Sequence, residues 1–133
     1  MKTAEDLETY MLQMGLDFER VDDGLWLVSD EADSLENIVI HLLPPVVTFS
    51  VKLFDLPNDG KDPTLLRRLL ELNATDMLHG AYGIDGNSVI MIDSLQSENL
   101  DANEFQASLE AMSLSMIQHY PEIRALIHRK EVG

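Results

Sequence analysis

The chain has 133 residues and a mass of 15.0 kDa, which suits a single domain of residues 1–133 built around one buried core. Its residues are 45% hydrophobic and 25% charged, proportions that are typical of a folded protein and exclude a disordered or collagen-like chain. Twenty-four Asp and Glu against nine Lys and Arg give a net charge of −15, which repels phosphate backbones and anionic lipids, so we expect neither nucleic acid nor a membrane as a partner.

The first predicted element is a helix close to the N-terminus. Thr3 is a suitable N-cap residue, and the acidic residues that follow it favour the positive end of a helix. The apolar residues then recur at the spacing of one helix face, and they are Leu7, Tyr10, Met11 and Met14. Gly15 predicts the end of this helix.

Extended segments follow the first helix. Residues 18–21 and 25–28 flank Asp22-Asp23-Gly24, a turn sequence whose glycine tolerates a positive φ. The pattern predicts a first strand or a small hairpin. Residues 29–36 carry four acids and no aromatic residue, so we expect a solvated connector there.

Two further strands are predicted between the connector and the next helix. Residues 37–43 are rich in β-branched side chains, and Pro44-Pro45 ends this strand because proline cannot donate to a strand ladder. In the strand after it, apolar and polar residues alternate, which is typical of a strand with one buried and one exposed face. We therefore expect one face of the sheet to be partly open; the alternating apolar residues are Val47, Phe49, Val51 and Leu53.

The second half of the chain predicts two helices separated by a hairpin. Asp62-Pro63 forms an N-cap and first turn for a leucine-rich helix, and Asp85-Gly86 marks a tight turn between two strands. Asp101 opens the last helix, and Pro121 predicts a kink or break near Tyr120. The expected fold is α+β, an antiparallel sheet with helices packed on it in the order α-β-β-β-α-β-β-α.

This order and several local strings resemble those of the YbjN-like proteins and, beyond them, the class I type III secretion chaperones typified by the Tir chaperone. The resemblance covers roughly residues 4–122. Its strings are GLDFER at residues 15–20, LRRLLELN at 66–73, GAYGIDG at 80–86, and NLD at 99–101 followed by a long helix.

The resemblance implies a small bacterial protein of the cytosol, usually a homodimer, without catalytic activity. The secretion chaperones hold the N-terminal segment of an effector in an extended form over apolar surface patches. The YbjN-like proteins look like regulatory or stress-linked proteins. Two features depart from the family pattern, namely the short Pro44-Pro45 connection and the long acidic connector at residues 29–36.

The residues themselves indicate no catalytic group, cofactor or metal site. The chain has no cysteine, and its four histidines are far apart in sequence without the spacing of a metal motif. Ser108, Ser113 and Ser115 fall in a helix without the GxSxG motif of a nucleophile elbow. No apolar run is long enough for a signal peptide or a membrane span, so we expect a cytoplasmic protein. Because no pair of nucleophile and base can be named, we also expect that it is not an enzyme.

Four residues are candidates for binding a partner. Trp26 points away from Leu25 and Leu27 on its strand, so it is an anchor beside Phe54 if the leucines are buried, and a core residue if they are not. Met112 and Met116 lie on one face of the last helix, where they form either an adaptable binding surface or part of the core.

The leucine-rich helix is the candidate dimer interface. Its apolar residues are wider than one stripe, and Leu65 and Leu72 lie outside the stripe formed by Leu66, Leu69 and Leu70. A self-complementary dimer contact would use the surplus leucines. The candidate interface residues are Leu65, Leu69 and Leu72.

Two functions from different classes follow. The first is a non-enzymatic protein-binding module, chaperone-like or an adaptor, that binds an extended segment of an effector-like or regulatory client as a homodimer. The second is a regulatory dimer, sensory or stress-linked, that responds to a small ligand held between the sheet and the last helix.

Overall fold

A computed structural model describes residues 3–30, 35–57, 61–77 and 79–132 of the chain. Three helices and six strands are present in these ranges, and the α+β class is confirmed. In chain order they are α1 (Ala4–Gln13), β1 (Asp17–Asp22), β2 (Leu25–Asp30), β3 (Leu35–Leu43), β4 (Val46–Asp55), α2 (Pro63–Thr75), β5 (Ala81–Asp85), β6 (Ser88–Gln96) and α3 (Ala102–Val132).

The helices begin at the predicted capping residues. Thr3 and Asp6 form a capping box at α1, in which the Asp6 amide donates to the threonine hydroxyl and the carboxylate accepts from the Thr3 amide. The Asp62 carboxylate accepts from the Leu65 amide at the start of α2, and Asp101 has the same role at α3. These contacts satisfy amide groups that have no partner inside the helix, so the local sequence sets where each helix starts.

The first two strands form a hairpin, which is one of the two alternatives that the sequence left open. Gly24 has φ of 64°, and a Cβ atom built on it would lie 2.9 Å from the Leu42 carbonyl oxygen, so glycine is required at this turn. The strands also run further into residues 29–36 than predicted, since β2 ends at Asp30 and β3 begins at Leu35. Residues 31–34 of the predicted connector lie outside the described residues.

The six strands form one antiparallel sheet in the order β1-β2-β3-β4-β6-β5. The connection through Pro44-Pro45 contains a cis peptide bond and joins β3 directly to β4. The hairpin of β5 and β6 follows α2 and adds to the sheet beside β4, with Asp85 paired to Ser88 at its turn. The sheet therefore has two edge strands, β1 and β5.

The three helices cover one face of this sheet. α1 contacts β1 and α3, α2 contacts β5 and α3, and α3 also contacts β6. The core lies between the two layers, where the rings of Phe49 and Phe105 meet edge to face with their centroids 5.2 Å apart. Within the described ranges, no helix is long and apolar enough to cross a membrane.

Of the kink or break predicted near Tyr120, the break is wrong, because α3 continues through Pro121 to Val132. A proline removes one helical hydrogen bond and crowds the preceding turn. Here the turns on both sides are held by packing: Met116 packs against the core before the proline, and Ile123 is buried in the core after it. Tertiary contacts therefore offset the local cost of the proline.

None of the three described helices covers the other face of the sheet. Cross-strand pairing places Leu27 opposite Val39, Val39 opposite Ser50, and Ser50 opposite Ile92 on this face. The three apolar members of the row are 37%, 38% and 37% exposed, respectively. We call this row of Leu27, Val39, Ser50 and Ile92 the open face, and it agrees with the predicted exposure of one side of the sheet.

Candidate functional site

Trp26 is a core residue. Its side chain is fully buried on the helix-covered face, opposite Ile40, and the Arg20 guanidinium lies 5.5 Å from the centre of its ring. The side chains of this strand alternate as predicted. Of the two alternatives, Trp26 is the residue that faces the core, and Leu25 and Leu27 turn to the other face. As a fully buried side chain, Trp26 does not offer an anchor to a partner in this conformation.

Met112 and the predicted dimer leucines are also in the core. Met112 and Leu65 are fully buried, and Leu69 and Leu72 are nearly so. The helix α2 carries two parallel leucine stripes, and the stripe of Leu65, Leu69 and Leu72 is the one that packs on the sheet. The proposed interface on these three residues is therefore corrected, because their side chains are already used by the fold.

Phe54 lies on the helix-covered face rather than beside the polar residues of the open face. A β-bulge between Lys52 and Phe54 inserts Leu53 as an extra residue, so that Phe54 pairs with Val89, a core residue. Simple alternation would have turned Phe54 to the opposite side. The bulge is the reason that the sequence pattern failed at this position.

Phe54 and Met116 meet in a groove between β4 and α3, which we call the helix groove. It has a volume of about 640 Å³ and is lined mainly by apolar side chains of the two elements. On α3 these recur every three or four residues, as expected for one helix face. The apolar lining consists of Val51, Leu53, Phe54, Met116, Tyr120, Ile123 and Ile127, with Tyr82 at one side.

The helix groove is basic in an acidic chain. The lining that the structure describes contains Arg124 and His128 of α3 and no carboxylate side chain. Lys52 of β4 also borders the groove, but cross-strand pairing turns its side chain towards the open face. The Lys52 ammonium lies 3.0 Å from the Asp55 carboxylate, which also accepts from the Ser88 hydroxyl. The hydrogen bond from Lys52 is the main cause that lowers the pKa of Asp55, followed by the one from Ser88.

A buried polar pair closes one side of the helix groove. The phenol of Tyr82 forms a hydrogen bond of 2.7 Å with Nδ1 of His119, and Nε2 of the same ring lies 3.6 Å from an Asp76 oxygen. Both the tyrosine and the histidine are buried. Burial raises the pKa of Tyr82 well above its ordinary value, so the phenol stays neutral in the folded protein.

A second, smaller groove lies between α2 and the edge strand β5, and we call it the edge groove. Its volume is about 340 Å³. Leu70 and Ile84, which line it, are 68% and 50% exposed, and Leu66 beside them is half-buried. Leu66 and Leu70 belong to the leucine stripe of α2 that faces away from the core. Ile84 lies near the end of the edge strand β5.

The Asn73 side chain connects α2 to β5 at the same place. Its amide nitrogen donates to the Tyr82 carbonyl at 3.0 Å, and its oxygen accepts from the Tyr82 amide at 2.7 Å. Asn73 thus occupies the peptide groups of Tyr82 that point away from β6. The peptide groups of Ile84, two residues further along the strand, point in the same direction.

The closest approach to a catalytic arrangement is a cluster of Ser108, Asp93 and His79. The Ser108 hydroxyl donates to the Asp93 carboxylate, and Nδ1 of His79 lies 3.9 Å from the same oxygen. In a nucleophilic triad the imidazole lies between the hydroxyl and the carboxylate. Here the carboxylate is in the middle, so the arrangement does not activate the serine and instead ties α3 to β6.

The described residues also contain no group of three or more His, Cys, Asp or Glu side chains that could hold a metal ion. The acids Glu31 and Asp33 of the predicted connector lie outside the described residues. The grooves, the open face and their charges are therefore the features that bear on function.

The profile of the CesT_Tir_1 family matches residues 1–129. The chain belongs to this family, which is a family of type III secretion chaperones. This match confirms the resemblance seen in the sequence. It supports a chaperone-like role in binding a partner and points to a protein that is not an enzyme. No curated protein matches the chain in sequence.

Two solved structures share the fold. YbjN from E. coli, described as a proposed transcription regulator, is 15% identical with a TM-score of 0.66 over 91% of this chain and 93% of its own. A chain of the heterodimeric ExoU–SpcU complex from the type III secretion system of Pseudomonas aeruginosa is 14% identical with a TM-score of 0.56, over 91% and 97%. At these identities the likeness concerns the fold.

Sequence reasoning found two of the groove residues and missed the others. Phe54 and Met116 were recognised as large apolar residues, although on different grounds. Arg124 and His128 were missed because their role depends on the approach of α3 to the bulged end of β4. One signal was available: these residues are four apart on a helix, next to the apolar stripe that ends at Ile127.

Proposed function

We propose that this chain is a non-enzymatic protein-binding module, chaperone-like or an adaptor, that acts in the cytoplasm as a homodimer and binds an extended segment of a partner protein. Membership of the CesT_Tir_1 family supports the chaperone-like part. The related fold in the ExoU–SpcU complex supports a protein partner, since that structure is a heterodimer of two different proteins.

The observation that carries the proposal is the edge groove. An extended segment that pairs with a sheet edge needs outward peptide groups for its backbone and an apolar recess for its side chains. Ile84 supplies the peptide groups at the edge of β5, and Leu66 and Leu70 supply the recess. Asn73 limits the pairing to the end of the strand, because it occupies the peptide groups of Tyr82.

The open face supports the homodimer. Its apolar side chains lie on the inner strands β2, β3 and β6, which gives a flat surface where a second copy can pack. Two sheets that pack face to face bury such rows against each other, and a two-fold axis makes the surface complementary to itself. This surface replaces the buried leucines of α2 as the proposed interface.

A second candidate function, a regulatory dimer that responds to a small ligand, is supported by the helix groove. Its volume of about 640 Å³ falls in the range of about 300–1,000 Å³ that small-molecule sites occupy. It lies between the sheet and the last helix and combines an apolar lining with a few polar groups.

The test of the first function is affinity capture from the native cytosol with the proteins identified by mass spectrometry. The tagged protein should recover one dominant partner at near-stoichiometric yield, and Leu70→Asp should lose it because a charge enters the edge groove. Leu12→Asp is the matched control, since Leu12 is also 68% exposed but lies on α1. Recovery of the bait alone, or equal loss in both variants, contradicts the proposal.

A further inference from the structure

The helix groove combines an apolar body with a cationic rim. Phe54 and Leu53 of β4 form one wall, and Met116, Ile123 and the Tyr120 ring form the other. Each of these side chains is apolar over most of its surface, so the groove favours a ligand with a long hydrocarbon portion.

The charge of the lining is the reverse of the charge of the chain. Acids outnumber bases by 24 to 9 in the sequence, whereas the described lining of the groove has a permanent cation, Arg124, with His128 beside it and no acid. A site that presents positive charge and no negative charge, in a chain that is mostly negative, is complementary to an anion.

Arg124 is the group best placed to hold that anion. Lys52 is paired with Asp55 at 3.0 Å, whereas none of the carboxylates whose side chains the structure describes is paired with Arg124. The Arg124 Nε donates to Nε2 of His128 at 3.4 Å, which orients the guanidinium at the rim. A guanidinium binds a carboxylate through two parallel hydrogen bonds, a geometry that a lysine does not provide.

We infer that the helix groove binds a long-chain carboxylate, with its head group at Arg124 and its hydrocarbon chain along Phe54, Met116 and Ile123. One negative charge suits the site better than many, because the net charge of −15 repels a polyanion such as an acidic peptide or a polyphosphate over its whole length. The inference rests on the second candidate function and deepens it by naming the ligand class.

The test measures binding of dodecanoate and of the uncharged dodecanol to the whole protein by displacement of a neutral fluorescent probe. Dodecanoate should bind at least about 10-fold more tightly than dodecanol to the wild type, a difference of one charged head-group contact. Arg124→Gln should remove this preference while leaving dodecanol unchanged. Arg67→Gln is the control, since Arg67 is an exposed arginine of α2 outside the helix groove.

A variant of the apolar wall tests binding of the hydrocarbon chain independently of binding of the head group. Phe54→Ser should weaken both ligands, with circular dichroism used to show that the variant is folded. If dodecanoate and dodecanol bind equally to the wild type, or if Arg124→Gln and Arg67→Gln behave alike, the carboxylate class is wrong while the groove remains a ligand site. If neither binds, or if an acidic peptide binds in place of dodecanoate, the second candidate function fails in this groove as well.

Discussion

The phenol of Tyr82 and the imidazole of His119 form a buried hydrogen bond of 2.7 Å that joins the edge strand β5 to α3. Tyr82 lines both the helix groove and the edge groove, so this residue is part of the wall between them. The peptide groups of the same residue are held by Asn73 from α2. Tyr82 therefore connects three elements at the point where the two candidate sites approach each other.

The raised pKa of Tyr82 predicts a loss of stability at alkaline pH. The unfolded chain ionises this phenol near its ordinary pKa of 10.0, whereas the folded protein holds the proton because burial disfavours the charge. The contribution of the protonated Tyr82 phenol to the free energy of unfolding is thus complete below pH 10 and is lost as the pH rises above it. Urea unfolding should show the free energy falling by up to about 1.4 kcal/mol per pH unit for this one proton.

The variant Tyr82→Phe tests whether Tyr82 causes this fall in the free energy of unfolding with pH. It should be less stable than the wild type by about 1 kcal/mol at neutral pH, through loss of the hydrogen bond to His119, and should show a shallower decline above pH 10. Tyr120→Phe, a change of an exposed ring, is the comparison. An alkaline slope that Tyr82→Phe leaves intact would show that another group is responsible.

The burial of Trp26 predicts that this residue acts on stability. Trp26→Ala removes the largest fully buried side chain and should cost about 3–5 kcal/mol, measured as a lower urea midpoint with an unchanged slope. Leu12→Ala, at a leucine of α1 that is 68% exposed and lies outside the open face, should cost less than half as much. A folded, equally stable Trp26→Ala would place the indole on the surface.

The sequence predicted most of the elements because their signals are local. The caps at Thr3, Asp62 and Asp101 and the glycine turns depend on residues a few positions apart. The side that each element buries is not local, and α2 shows this well. Its two leucine stripes are both helical in spacing, and the contact with the sheet decides which one becomes core.

The bulge in β4 was not predictable either, because it also depends on contacts outside the element. Val47, Phe49 and Val51 alternate as predicted, but the register against β6 shifts between Lys52 and Phe54. A bulge depends on the partner strand, so alternation along one strand does not reveal it. Since the bulge brings Phe54 to the helix groove, the groove itself was not predictable from the strand pattern.

The two hydrogen bonds from Asn73 predict a local effect on the edge strand. Asn73→Ala leaves the Tyr82 amide and carbonyl without this partner and should lower the free energy of unfolding by about 1–3 kcal/mol. Hydrogen exchange of the Tyr82 amide should become faster by more than that of Met91, its neighbour on the paired strand. A uniform increase at both amides would indicate a global loss of stability instead.

The proposed homodimer predicts a change of mass when the open face becomes charged. Sedimentation velocity should give a dimer for the wild type and a monomer for Val39→Lys, because the substitution places an unpaired charge in the centre of an apolar contact. Leu70→Lys is the control on the far side of the molecule. A monomeric wild type, or a dimer that Val39→Lys does not disturb, removes the open face as the interface.

The most direct measurement of the central claim is hydrogen–deuterium exchange of the protein alone and in complex with its captured partner. If an extended segment pairs with β5, exchange at the Ile84 amide should slow on binding, together with protection around Leu66 and Leu70 in the edge groove. Exchange in β1, the other edge strand, should remain unchanged. Protection in β1 without any change at Ile84 would contradict the account.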